Sequence, residues 1–261
     1  MRTLVAVPVF NEIKTIRRVL PAIRERADEV LVVDDGSTDG TSEVLDQLAG
    51  PLGLHVLRHA ANAGYGRSLQ DAFQFGIDEG YDWLITMDMD EQHEPASIPE
   101  FVRMAERNDR DLISGSRYLT PLDDEDPLAR PPEERRRINR TITAELNERL
   151  AGRLGQGITD AFCGFKAHRV ASLRDLTIDE DGYAFPMQLW VQAAANNWRI
   201  GEAPVRLIYN DPNRSFGADL DDAARRLTHY RTVLHTELCR FADRLPASAA
   251  HSLIVDSAPC R

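Results

Sequence analysis

Two carboxylates and an amide at alternate positions, Asp88, Asp90 and Gln92, follow the apolar run Trp83-Leu84-Ile85-Thr86-Met87. Alternate residues of an extended segment point the same way, so the three side chains offer one array of hard oxygen donors. Such donors suit Mg²⁺ or Mn²⁺ that is also held by the diphosphate of a substrate. Standing alone, an acidic turn in solvent would look the same. Here a buried-strand pattern precedes it, and in open α/β sheets ligands bind in the crevice beyond the carboxyl ends of the strands.

The elements that must position this array can be read from the hydrophobic pattern. Thr3 to Phe10 is a β-branched run that predicts a first strand, followed by a helix with Ile16, Val19, Leu20 and Ile23 on one face. Glu29 to Val33 predicts a second strand, ending in Asp34-Asp35-Gly36-Ser37-Thr38-Asp39-Gly40-Thr41. Its carboxylates are pure acceptors that suit ribose hydroxyls or base N–H groups, and they equally suit a turn with a helix cap. A third strand, Leu54 to Arg58, runs into Asn62-Ala63-Gly64-Tyr65-Gly66-Arg67-Ser68, where backbone N–H groups and Arg67 can approach a phosphate at a helix N-terminus. This loop has neither the dinucleotide glycine pattern nor the P-loop lysine. After the Trp83 strand comes another from Asp111 to Gly115, ending in Ser114-Gly115-Ser116-Arg117-Tyr118. Repeated strand and helix units with short links predict an α/β fold with a mostly parallel sheet.

Beyond this point the pattern changes. Thr120 to Pro132 is rich in proline and acids and reads as a loop. Glu133 to Leu154 predicts a helix whose first turns hold Arg135, Arg136, Arg137 and Arg140, opposing the helix dipole. Either an anionic group binds there or the arginines are a solvated face. Thr159 to Arg169 reads as a turn region, Gly182 to Phe185 opens a further helix, and Ile200 to Tyr209 predicts a last strand. The amphipathic helix near the C-terminus carries Leu227, Tyr230, Leu234 and Leu238 on one stripe and arginines largely off it. It suits packing on the core, pairing with a second copy, or lying on an anionic membrane surface. The expected organisation is one domain over 1–217, this helix within 218–245, and an unstructured tail over 246–261.

The 261 residues carry a formal net charge of −11, which disfavours a nucleic-acid partner. Lysine occurs only at Lys14 and Lys166, so recognition of anions falls to arginine and its bidentate geometry. Cys163, Cys239 and Cys260 form neither zinc spacing nor a disulfide framework, in keeping with a reducing cytoplasm. No apolar run approaches the ~18 residues of a membrane span.

Taken in order, VPVFNE, VVDDGSTDGT, Asn62-Ala63-Gly64, MDMDEQHEP, SGSRY, TDAFCGFKAHR and NRSFG resemble a family 2 glycosyltransferase of the GT-A fold, near the dolichol-phosphate mannosyltransferase group. The resemblance spans residues 3 to 217. It implies a single Rossmann-like domain with helices on both sheet faces, and transfer of mannose from GDP-mannose to a polyprenyl phosphate. It places Pro8, Phe10, Glu12, Asp35 and Asp39 around the nucleotide, with Asn62, Gly64 and Arg67 on the same side. Asp88, Asp90 and Gln92 would hold Mg²⁺ or Mn²⁺, and Arg214 with Ser215 would close over the donor. Asp88, Asp90 and Arg117 form the expected catalytic set, and Arg117 with Arg136, Arg137 and Arg140 would take the acceptor phosphate. Family members with hydroxyl acceptors usually carry an acidic base near the position where this chain has Pro186-Met187-Gln188; Gln188 cannot serve as one, and a phosphate acceptor needs none. Glu91 and Glu94 also depart from the family pattern after the metal motif. The other readings are transfer to a soluble hydroxyl acceptor, a nucleotidyltransferase, or a non-catalytic nucleotide-sugar-binding domain. Contact with the cytoplasmic membrane face and a homodimer through the C-terminal helix complete the expectations.

Overall fold

A computed structural model describes residues 1–119, 131–209, 217–255 and 258–259. Arg214 and Ser215 lie outside the described residues, as does most of the loop after Tyr118. Strands and helices alternate as β1 (Thr3–Val9), α1 (Ile16–Arg24), β2 (Glu29–Asp34), α2 (Thr41–Leu52), β3 (His55–Arg58), α3 (Tyr65–Asp78) and β4 (Trp83–Thr86). They continue as α4 (Ile98–Glu106), β5 (Leu112–Ser116), α5 (Glu133–Arg149), β6 (Lys166–Arg169), α6 (Val170–Leu173), α7 (Phe185–Ala195), β7 (Ile200–Pro204) and α8 (Ala223–Arg240).

Seven strands form one sheet in the order β3-β2-β1-β4-β6-β5-β7. Every neighbouring pair is parallel except those made by β6, which runs against both β4 and β5. The α/β class and mostly parallel sheet expected from the pattern are therefore observed. β6 forms where the pattern predicts only a turn. Its four residues, KAHR, carry two charged side chains and a histidine and show no apolar alternation, so only pairing with β4 and β5 makes them a strand. β7 stops at Pro204, short of the expected Tyr209.

Alternation along β1 sets the two layers. Leu4 and Ala6 face a core built with α3, α5, α7 and α8, whereas Val5, Val7 and Val9 face one built with α1, α2 and α4. Because α7 lies between the sheet and α8, it is buried on nearly every side, from Met187 to Ala195.

On α8 the apolar stripe faces inward. Tyr230, Leu234 and Leu238 are buried in the same core as Leu189 and Trp190 of α7. Of the three uses that suit such a stripe, packing on the core is the one observed, and the buried residues are not offered to a second copy or a membrane. The stretch after Pro246, expected to lack structure, also contributes Ala249 and Leu253 to that core. Arg149 fixes it by donating to the carbonyl of Ala249 at 3.0 Å.

Candidate active site

The carboxyl ends of β1, β2, β4 and β5 meet at one edge of the sheet. Because β6 runs the other way, its first residues and the preceding Gly164 reach the same edge. A cleft of about 700 Å³ opens there. It gathers Pro8 near the end of β1, Phe10 and Glu12 after it, Asp35 after β2, and Asn62 and Gly64 ahead of α3. Asp88, Asp90, Gln92 and Arg117 line it as well. Asp39, Arg67, Arg136, Arg137 and Arg140 are not among its lining residues.

Met87 and Met89 are buried in the core on the α1, α2 and α4 side, so the intervening Asp88 and the following Asp90 turn toward the cleft. The extended register expected through Gln92 is broken at Glu91, which holds a left-handed φ of 62° and pairs with Arg18. The turn still brings Gln92 to the cleft, its N–H donating to Asp90 Oδ1 at 3.0 Å. Asp88 Oδ1 accepts from the Tyr65 hydroxyl at 3.0 Å. A Cβ at Gly164 would lie 2.6 Å from Asp88 Oδ2, so only glycine leaves room for this carboxylate. Two half-exposed carboxylates and an amide oxygen fit a hard divalent cation. Among the described residues no group of three acids, histidines or cysteines forms a complete cage, so such a cation would need oxygens from a substrate.

His93 lies under this loop, its Nδ1 accepting from the Asp88 N–H at 3.0 Å and its Nε2 3.9 Å from Cys163 Sγ. Burial lowers the His93 pKa, but the Asp88 carboxylate and Cys163 outweigh it and raise the value to about 9. The hydrogen bond from Asp88 requires a bare Nδ1. A cation on Asp88 would cancel the carboxylate's pull and so favour that neutral ring.

At the ends of β1 and β2 the acids hold the backbone. Asp35 is 3% exposed and accepts from the N–H groups of Ala63 (2.7 Å) and Gly64 (2.9 Å) and from His59 Nδ1 (2.7 Å). It thus ties the end of β2 to the glycine-rich loop. Asp39 accepts from Thr41 N and Oγ1 and from Ile13 N, so it braces the turn into α2, the ordinary alternative for such a residue. Arg67 turns away from the cleft and makes two hydrogen bonds to Asp71, one helical turn on.

Arg117 is also committed. Its Nε and Nη2 donate to Asp160 at 2.6 and 2.9 Å, and Asp160 is fully buried. Burial would raise the Asp160 pKa, yet Arg117 and the Asn139 amide drive it well below the usual carboxylate range. The pair joins SGSRY to TDAFCGF, a link that spacing along the chain does not display. Arg136 and Arg140 lie on the exposed face of α5 beside Glu133, and Arg137 is exposed too. The arginine of this helix that lines the cleft is Arg135, whose guanidinium sits 5.2 Å from the Tyr209 ring. Arg226 of α8 also reaches the cleft and is 3% exposed, donating to Glu134 at 2.7 Å.

Beneath them Lys166 donates to Ser114 Oγ at 2.8 Å and to the Cys163 carbonyl, and burial lowers its pKa. Ile138, Phe162, Leu189, Tyr209 and Tyr230 complete this wall. The acids lining the cleft are Glu12, Asp35, Asp88 and Asp90 among the described residues, all from the opposite side. Gln188 is 6% exposed, does not line the cleft, and bonds instead to the segment at 179–180. The residue types and their spacing do not mark Tyr65, Tyr118, Asn139, Gly164 or Arg226 as site residues of their own, and they mark Arg135 only as one of four arginines at the start of α5. Tyr65 and Gly164 stand inside quoted motifs, whereas Arg226 has no local signal.

An open α/β sheet with paired acids at its carboxyl edge, facing a basic and aromatic wall, is the GT-A architecture. The chain belongs to glycosyl transferase family 2, whose model matches residues 4–177. It is 32% identical over 224 residues to undecaprenyl-phosphate mannosyltransferase of Micrococcus luteus, covering 82% of this chain and 87% of that one. It is also 32% identical over 211 residues to polyprenol monophosphomannose synthase of Mycolicibacterium smegmatis, covering 78% and 76%. Glucosyl-3-phosphoglycerate synthase of Mycobacterium tuberculosis, solved with Mn²⁺, UDP and glucosyl-3-phosphoglycerate, shares the fold with a TM-score of 0.64. The two are 19% identical, and the match covers 90% of this chain and 79% of the other.

Proposed function

We propose that the protein transfers mannose, with inversion, from GDP-mannose to a polyprenyl phosphate at the cytoplasmic face of a membrane. The observation that carries this reading is the wall formed by α5, α7 and α8. It presents arginines, aromatic rings and apolar side chains and no carboxylate among the described lining residues, while Gln188 is turned away. An alcohol acceptor needs a base to remove its proton, whereas a phosphate monoester is already anionic near neutral pH. The named activities of the two relatives at 32% identity support the same acceptor class.

In this reading Pro8, Phe10, Glu12 and Asp35 frame the nucleotide, and the glycine-rich loop approaches its phosphates. Asp88, Asp90 and Gln92 hold Mg²⁺ or Mn²⁺, which when bound neutralises charge developing on the leaving diphosphate. Arg135 receives the acceptor phosphate, and Arg117 adds only the edge that Asp160 leaves uncommitted. The acceptor oxygen then attacks the anomeric carbon from the face opposite the leaving group. Ile138, Phe162 and Leu189 shield this reaction from water and accept the first apolar units of the lipid. No helix among the described residues is long and apolar enough to cross a membrane, and the contact with the bilayer in this reading is peripheral.

The test compares a short polyprenyl phosphate with the matching polyprenol and with soluble sugars and hydroxy acids, each with GDP-mannose and Mn²⁺ or Mg²⁺. Mannosyl transfer to the phosphate alone is expected. Transfer to a soluble hydroxyl and none to the phosphate would overturn the acceptor.

A further inference from the structure

Glu237 is a carboxylate 1% exposed on α8, remote from the metal-binding loop and unused by the reaction described above. It receives the amide Nε2 of Gln192 on Oε1 at 2.6 Å and that of Gln188 on Oε2 at 3.3 Å. The two glutamines lie one helical turn apart on α7 and so present the same face. Their oxygens are already committed. Gln192 Oε1 accepts from Thr177 N at 2.7 Å, and Gln188 Oε1 accepts from Asp179 N and Glu180 N at 3.0 and 2.9 Å. Neither amide can flip without abandoning those backbone donors, so both must offer N–H groups to residue 237. Gln188 Nε2 also donates to Asp179 Oδ1 at 2.5 Å, so its second N–H and one from Gln192 face the two oxygens of residue 237, and a carboxylate accepts both.

The segment fixed in this way is the one that presses on the glycine-rich loop. The carbonyl of Asp181 accepts from Arg67 N at 3.1 Å, and that of Glu180 accepts from Gln70 Nε2 at 3.2 Å. Those same carbonyls occupy the space a Cβ would take at Gly64 and Gly66. Tyr183, at the end of the segment, stacks on Tyr65 with centroids 5.7 Å apart, and Tyr65 in turn donates to Asp88.

We propose that Glu237 is a positioning residue for the donor side of the cleft, acting through Gln188 and Gln192 on the segment 177–183 and thence on loop 62–66. The ligand side of this inference rests on the nucleotide-sugar reading; the coupling between the two segments does not.

Glu237→Gln keeps the shape and replaces one acceptor by a donor that faces another donor. GDP with Mn²⁺ should bind this variant about tenfold more weakly, the equivalent of one charge-assisted hydrogen bond lost. The KM for a polyprenyl phosphate should stay unchanged. The exchange Gln192→Glu/Glu237→Gln restores the hydrogen bonds among positions 188, 192 and 237 and gives up only the 3.6 Å ion pair between Glu237 and Arg240. The carboxylate then standing at position 192 accepts from both Thr177 N and the new amide at position 237, whose oxygen still accepts from Gln188. Binding should return to within about twofold of the unaltered protein. Hydrogen exchange reads the coupling with no ligand present: amides of 62–70 and 177–184 should exchange faster in the single variant and recover in the double one. A lower melting temperature with unchanged GDP affinity and unchanged exchange at 62–70 would overturn the inference. Failure of the unaltered protein to bind GDP or UDP would instead sink the functional reading, while the exchange data would still decide the coupling.

Discussion

Asp160→Asn removes the fully buried charge of a pair whose other member, Arg117, is half-buried at the cleft wall, and leaves the arginine in place. Asp160 receives the Nε, Nη2 and backbone N–H of Arg117, the Asn139 amide at 2.7 Å and the Phe162 N–H at 3.2 Å. An asparagine offers one acceptor oxygen and puts an NH₂ against donors. Removing one partner of a buried pair costs about 3–5 kcal/mol, chiefly because the remaining charge is stranded. Urea denaturation at pH 7 should show this loss for Asp160→Asn. The double change Arg117→Met/Asp160→Leu should cost less than either single one, because no charge remains buried. The same pair predicts an acid limb. The Asp160 pKa is depressed in the folded state, so its contribution is full above the unfolded value of about 3.9 and fades as pH falls below it. Asp160→Asn should lack that part of the acid slope. A loss below about 1 kcal/mol at pH 7, as for an exposed pair, would refute the assignment of Arg117 to a buried structural pair.

Two further outcomes follow from the geometry. Asp90→Ala should abolish the enhancement of GDP binding by Mn²⁺ and leave urea stability within about 0.5 kcal/mol, since Asp90 stands in a half-exposed loop outside the hydrophobic core; equal enhancement in both proteins, measured by calorimetry, would remove Asp90 from the cation site. Glu145 lies between His235 and Arg231, and the hydrogen bond from His235 leads the effects that lower its pKa to about 2. Its stabilising contribution is present above the unfolded carboxyl value and is lost as pH falls toward 2; Glu145→Gln should therefore flatten stability between about pH 4.5 and 2, and an unchanged acid profile would count against it.

The local pattern determined much of this protein. Runs such as Thr3 to Val9 and Trp83 to Thr86 are apolar because both faces of a central strand are covered, and that burial is written into the residue types themselves. The acids beyond β4 could be placed at a ligand edge because topology puts strand ends there, whatever the later packing. Contacts between distant segments were a different matter. Asp35 and Asp39 follow the same strand, yet one clasps the glycine-rich loop and the other braces its own turn. The four arginines that begin α5 look alike in sequence, and only the rotation of the helix on the core selects Arg135 for the cleft. Arg117 carries the donors of a phosphate ligand, but Asp160, which neutralises it, lies 43 positions away. The stripe on α8 is equally apolar whether it meets a core, a partner or a bilayer. Its burial against α7 was decided by tertiary packing alone, because hydrophobic attraction is non-directional and names no partner.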